Sequence, residues 1–141
     1  MKIGVVGAGA MGSLFGARLV EAGVADVVLL DINRPHIEAI REQGLAFEDG
    51  AETRRVQIRA TTNPAEAGPV DFIIFFCKYP DSRQAIIDAE AMLTDGTVVW
   101  TPQNGIGNVE IIAEKVSAAR IAKGLTSSTS IQTGPGKIRT N

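Results

Sequence analysis

The sequence predicts an α/β domain with a mostly parallel sheet and helices on both of its faces. Three observations carry that expectation. Short apolar runs of strand length alternate with amphipathic helical stretches along most of the chain. The run "FIIFFC" (72–77) is apolar without interruption, as in a parallel strand covered on both sides. A glycine-rich turn, "GAGAMG" (7–12), joins the first strand to the first helix.

The elements follow in order. Residues 2–6 read as a buried strand. A helix spans 10–22, with Met11, Leu14, Phe15, Leu19 and Ala22 on one face and Gly23 as its C-terminal cap. Residues 27–30 form a second strand. Pro35 opens a helix through Ile37 and Ile40 that stops at Gly44. Residues 45–48 and 54–59 flank the turn "DGAE", and the alternation of Val56 and Ile58 with polar neighbours predicts a hairpin. After strand 72–77, Pro80 and Asp81 open a helix with Ala85, Ile86, Ala89, Met92 and Leu93 on its face. Strand 97–100 precedes a helix marked by Val109, Ile112, Ala113 and Val116, and residues 120–124 form a short strand. The tail "LTSSTSIQTGPGKIRTN" reads as two strands around a Gly-Pro-Gly turn. Strands separated by helices require right-handed crossovers, so the expected architecture is doubly wound, with a C-terminal strand hairpin.

Size and composition exclude several classes. A chain of 141 residues is expected to be one domain, residues 1–141. Hydrophobic residues at 45% and charged residues at 21% belong to a globular protein, and a net charge of −2 gives no general attraction to nucleic acid or an anionic membrane. Cys77 is the single cysteine, which rules out an internal disulfide and suits a core position at the end of an apolar run. No Cys/His cluster has zinc spacing, no apolar run reaches the ~18 residues of a membrane span, and the N-terminus reads as a strand rather than a signal peptide. The expectation is a cytoplasmic domain without metal.

The glycines stand where a dinucleotide fingerprint requires them, after a strand and at the start of a helix. Gly7 makes the tight turn, Gly9 lets the backbone approach a pyrophosphate, and Gly12 lets helix and strand pack closely. The expected cradle runs through Gly7, Ala8, Gly9, Ala10, Met11 and Gly12, with the helix N-terminus facing the phosphates. The plainer alternative is a glycine-rich turn that binds nothing. Asp31, nineteen positions after Gly12 at the end of the second strand, can accept hydrogen bonds from the adenosine ribose and would repel a 2′-phosphate, which favours NAD(H). Arg34 could instead reach a 2′-phosphate, as NADP(H) would require, and Asp31 could simply start the "DINRP" turn. At two later strand ends, Lys78 in "FFCKYPDS" and Asn104 in "WTPQNGIGN" offer an ammonium and an amide that could stabilise charge on a reduced carbonyl. Against that stand a solvated strand-end lysine and a common Asn-Gly turn.

The ordered motifs "MKIGVVGAGAMGSLFGARL", the lysine of "CKYPD", "QNGIGN" and the closing "GLTSSTSIQTGPGKIRTN" resemble the nucleotide-binding half of ketopantoate reductases over essentially the whole chain. The resemblance implies a Rossmann-type fold and NADPH-dependent reduction of 2-dehydropantoate to (R)-pantoate for pantothenate biosynthesis. It places Lys78 and Asn104 in the cleft for cofactor and substrate, as positioning groups. It further implies a C-terminal helical domain supplying the principal catalytic lysine, so this chain alone would bind cofactor, not turn over, and leave apolar surface open to self-association as a homodimer. Because Asp31 departs from what an NADP enzyme is expected to carry, an NADH-dependent D-2-hydroxyacid dehydrogenase of the same family is an alternative. A non-catalytic NAD-sensing regulatory domain is another, since fold does not fix function. His36, the single histidine, is expected in solvent or at the adenine edge, and the hydroxyl run 126–130 at the cleft edge or on the surface.

Overall fold

The computed structural model describes residues 1–24, 26–77, 79–102 and 107–140. Strand β1 (Lys2–Val6) leads through the glycine-rich turn into helix α1 (Ala10–Glu21), followed by β2 (Asp26–Leu30) and α2 (Arg34–Gln43). Next come β3 (Leu45–Asp49), β4 (Glu52–Val56), β5 (Arg59–Thr61) and the short helix α3 (Pro64–Ala67). The remainder is β6 (Phe72–Phe75), α4 (Tyr79–Asp88), β7 (Val98–Thr101), α5 (Asn108–Ile112), β8 (Ile121–Lys123), β9 (Ser130–Gly134) and β10 (Lys137–Thr140).

Six strands form a sheet in the order β5-β2-β1-β6-β7-β8, every neighbouring pair parallel. The chain starts in the middle, winds outward through β2 and β5, then returns to β6 beside β1 and winds the other way. This reversal is the topological switch point of a doubly wound fold, where ligands gather at the carboxyl ends of the strands.

Alternation along the strands separates two cores. Ile3, Val5, Val27, Leu29 and Ile74 point to the face covered by α1 and α2. Val6, Val28, Leu30, Ile73, Phe75 and Val99 point to the opposite face, against Ile86, Ala89 and Met92 after β6 and Ile111, Ile112 and Val116 after β7. Most boundaries follow the periodic pattern, because that pattern records which face is buried; α4 and α5 end at Asp88 and Ile112, short of the expected Leu93 and Val116, and α3 was not expected.

Three features depart from the sequence reading. The stretch 54–59 is not one hairpin strand. β4 pairs antiparallel with β3, the chain then turns, and β5 joins the edge of the parallel sheet beside β2. The two hairpins also combine: β10 pairs parallel with β3, giving a second sheet in the order β4-β3-β10-β9. Finally, α1 has more than one apolar face, since it is pressed between the two sheets. Its sheet-facing side is small enough for close approach: a Cβ on Gly16 would stand 2.6 Å from Leu29 Cδ2 and 3.0 Å from Ile58 Cδ1.

Phe47 of β3 anchors the second sheet. Its ring is fully buried with Leu45, Val56, Ile37, Ile40 and Ile138. The guanidinium groups of Arg18 and Arg54 lie 4.9 and 4.5 Å from its centroid. Arg18 reaches Asp49 at 2.7 Å and Arg54 pairs with Glu21, holding the Glu21 carboxyl below its ordinary pKa. These exposed pairs contribute little singly; the ring is the main anchor. Phe47→Ala is expected to cost about 3–5 kcal/mol in denaturant unfolding. A loss below about 1 kcal/mol would mean that the second sheet is not part of the cooperative core.

Candidate dinucleotide cleft

The carboxyl ends of β1, β2 and β6 open into a cleft of about 1150 Å³. That is at or just above the upper end of the ~300–1,000 Å³ range of small-molecule sites and suits an extended ligand. The glycine-rich turn forms one wall. Asp31 and Ile32 follow β2, Phe76 and Cys77 follow β6, and α4 adds Asp81, Gln84, Ala85 and Asp88. The far wall comes from the C-terminal hairpin through Thr126, Ser128, Ser130 and Gln132.

Each glycine of the turn has its own physical requirement. Gly7 has φ +91°, and a Cβ there would meet the Cys77 backbone nitrogen at 2.9 Å. A Cβ on Gly12 would stand 2.1 Å from the Gly7 carbonyl oxygen, so the first turn of α1 can lie this close only without a side chain. A Cβ on Gly9 would meet nothing within 4 Å. It would project into open space, at the N-cap of α1, where no side chain caps the helix.

The backbone donors are divided accordingly. The amides of Gly7 and Ala8 donate to Leu30 O at 2.9 and 3.2 Å, fixing the turn to β2. Ala8 is buried beneath the cleft and its carbonyl accepts from Ser13 Oγ at 2.9 Å. The first-turn amides of α1, from Ala10, Met11 and Gly12, precede the first intrahelical bond, Ser13 N–H to Gly9 O at 2.9 Å. Ala10, Met11 and Gly12 line the cleft, and orphan amides at a positive dipole end there could receive an anion, with no cationic side chain among the described lining residues.

Asp31 lines the cleft, and its Oδ1 accepts the Asn33 amide at 2.8 Å. One carboxylate thus both starts the turn and lines the cleft. Arg34 is not among the lining residues; its guanidinium lies 3.8 Å from Glu38 on the exposed side of α2. Among the described lining residues, Asp31, Asp81 and Asp88 carry charge and none is Lys or Arg. Lys78 and Asn104 lie outside the described residues.

Cys77 faces the cleft, yet burial pushes its thiol up to about 12, helped by the Asp31 and Asp81 carboxylates. A thiol protonated at neutral pH is neither a nucleophile nor a metal ligand. Among the described residues, no group of His, Cys, Asp and Glu could hold a metal ion.

The expectation for His36 is corrected. The ring is fully buried, neither solvated nor at a ligand edge. Its Nδ1 accepts the Gly136 amide at 2.9 Å and its Nε2 lies 3.1 Å from Ser13 Oγ. Sequence reasoning missed it because a histidine in a first helical turn is ordinarily exposed, and its main partner lies 100 residues away. Of the hydroxyl run 126–130, expected at the cleft edge or on the surface, Thr126, Ser128 and Ser130 line the cleft; Gln132, which sequence reasoning missed, joins them two residues further along β9.

Comparison with known proteins agrees with this geometry. Residues 3–141 match the family described as ketopantoate reductase PanE/ApbA. The 2-dehydropantoate 2-reductase of Pyrococcus abyssi is 37% identical over 139 residues, which are 99% of this chain and 44% of that protein. A crystal structure of 2-dehydropantoate 2-reductase from Geobacter metallireducens superposes with a TM-score of 0.89 at 30% identity, covering 99% of this chain and 46% of that one. The ternary structure of D-mandelate dehydrogenase with NADH and anilino(oxo)acetate superposes with a TM-score of 0.94 at 32% identity, covering 100% and 46%. The chain thus spans less than half the length of these relatives.

Gly9 and Gly12 should separate binding from folding. Gly12→Ala is expected to destabilise by about 2 kcal/mol or more in thermal unfolding, through the clash with Gly7. Gly9→Ala should cost no more than about 1 kcal/mol while weakening dinucleotide binding at least tenfold, measured by nicotinamide fluorescence. Equal effects of the two substitutions on stability would contradict the open space seen at Gly9.

Proposed function

Because the chain belongs to the ketopantoate reductase PanE/ApbA family, we propose that it forms the dinucleotide-binding half of a reductase acting on a 2-oxo acid. The carrying observation is the uncapped N-terminus of α1 at the switch point, with Gly9 open to the cleft. The residues present fit a nicotinamide dinucleotide: orphan amides for its pyrophosphate, Asp31 for the adenosine ribose, and room along the strand ends. When bound, that cofactor supplies a hydride to the substrate carbonyl carbon. The chain's part is to hold the reacting partners in line and to meet the negative charge that develops on the carbonyl oxygen. Lys78 and Asn104 are the proposed donors for that charge, on the strength of the family motifs that contain them.

The relatives' names make 2-dehydropantoate the first substrate to test, with (R)-pantoate as product. The principal catalytic lysine is assigned to a C-terminal helical domain, so this chain is expected to bind the dinucleotide without turnover. A cytoplasmic setting fits such a reaction.

One observation favours a second reading. NADPH would bring a 2′-phosphate beside Asp31, while Arg34 pairs with Glu38 and the described lining offers no Lys or Arg. This arrangement suits NADH better, the cofactor of the D-mandelate dehydrogenase structure. It supports an NADH-dependent D-2-hydroxyacid dehydrogenase of the same family.

Parallel titration with NADH and NADPH, read by nicotinamide fluorescence, tests both readings. NADH is expected to bind at least about tenfold tighter, and Asp31→Ala should abolish the preference, since a hydrogen bond to a charged group contributes about 1.5–3 kcal/mol. Preference for NADPH would show that Arg34 turns to the phosphate and would return the assignment to the pantothenate enzyme. Failure of both nucleotides to bind at millimolar concentration would overturn the dinucleotide reading.

A further inference from the structure

We propose that His36 is a positioning residue of the cleft: as a neutral imidazole it ties the glycine-rich turn to the turn of the C-terminal hairpin, and dinucleotide affinity falls when a second proton breaks that tie. The proposal rests on the reading of the cleft as a dinucleotide site.

The hydrogen bonds settle which ring nitrogen carries the proton. The Gly136 amide can only donate, so Nδ1, 2.9 Å away, must be an unprotonated acceptor. The ring proton therefore sits on Nε2 and faces Ser13 Oγ at 3.1 Å. Ser13 in turn donates to the Ala8 carbonyl at 2.9 Å. One line of hydrogen bonds thus runs from the hairpin turn, through α2 and α1, into the glycine-rich turn.

Both ends of that line bear on the cleft. Ala8 immediately precedes Gly9, and β9, which enters the hairpin turn, carries Ser130 and Gln132 on the opposite wall. The hairpin turn has no slack. Gly136 has φ +68°, a Cβ there would stand 2.8 Å from Ala39 Cβ, and its carbonyl accepts the Ala46 amide at 2.8 Å.

A second proton can go only to Nδ1, where it would face the Gly136 N–H donor. Two donors cannot share that separation, so protonation must move the turn. Burial is the main influence on the ring and holds its pKa below the ordinary 6.5. Asp31, at the end of β2, and the Ala8 carbonyl act in the opposite sense. Ser13 and Gly136 bring no charge, and on α2 itself Arg34 and Glu38 pair with each other in solvent. With the folded value depressed, the contribution of His36 is complete above pH 6.5 and is lost as pH falls through the folded value.

His36 is the only histidine, so its imidazole signals in NMR need no assignment. The expected result is the Nε2–H tautomer, a midpoint below 6.5 and lower protection of the Gly136 amide, relative to its intrinsic exchange at each pH, as the ring protonates. NAD+ affinity, measured by calorimetry on the same chain at about pH 7.5 and at a pH about one unit below the imidazole midpoint found by NMR, should fall at least about fivefold. His36→Asn keeps an acceptor for the Gly136 amide without titrating, and its affinity should change less than about twofold over that interval. Every other pH-dependent group is common to the two proteins, so the difference between them isolates His36. Equal pH slopes, or an Nδ1–H tautomer, would overturn the proposal without appeal to the variant's stability. Should NAD+ fail to bind at the higher pH, the dinucleotide reading falls. Gly136 protection, relative to intrinsic exchange, that stays flat across the imidazole titration would then separately overturn the tie.

Discussion

Where β1 passes into α1, a methyl group at position 12 would stand 2.1 Å from the Gly7 carbonyl oxygen, and one at position 7 would strike the end of β6. The helix can lie this close only because both residues lack a side chain. Its start is thereby held at the gap between β1 and β6, where the winding of the sheet reverses. Gly16 repeats the demand one turn later against Leu29 and Ile58. Ring contacts then complete the seating of the helix: Phe15 lies 5.0 Å from Phe76 and 5.8 Å from Trp100. The position of the orphan amides is therefore set by packing.

That choice shapes the electrostatics of the cleft. A helix terminus acts over a short range and favours a diester phosphate close to it. Around that spot the described walls carry carboxylates, which on the proposed reading would accept from ribose hydroxyls and oppose a further phosphate. Burial, with the Asp31 and Asp81 carboxylates, keeps Cys77 protonated and chemically quiet. A dinucleotide site of this kind would discriminate by where it places negative charge as much as by where it offers donors.

The second sheet gives α1 its other covering layer. Phe47 and Ile138 are buried against the same core as Ile37 and Ile40 of α2. Through Ser130 and Gln132 that sheet also supplies a polar wall to a cleft otherwise built from the parallel sheet. A buried polar path through His36 and Ser13 joins the two sheets, and its worth depends on every member being satisfied. One proton in the wrong place leaves two donors opposed.

Much of this was legible in the residues alone. Apolar runs, helical spacing, Pro35 and Gly44 marked the elements of the parallel sheet, because periodicity is local and reports which face is buried. The close packing that Gly7 and Gly12 permit followed from their place between strand and helix. Tertiary structure alone decided the rest. The stretch 54–59 divides between two sheets because Arg59, Ala60 and Thr61 find partners in β2. The two hairpins merge because β10 pairs with β3, about ninety residues earlier. His36 is buried because a backbone amide 100 residues away fills its Nδ1. Pairing between distant strands and satisfaction of buried polar groups leave no periodic trace in the chain; they exist only once the two sheets meet across α1.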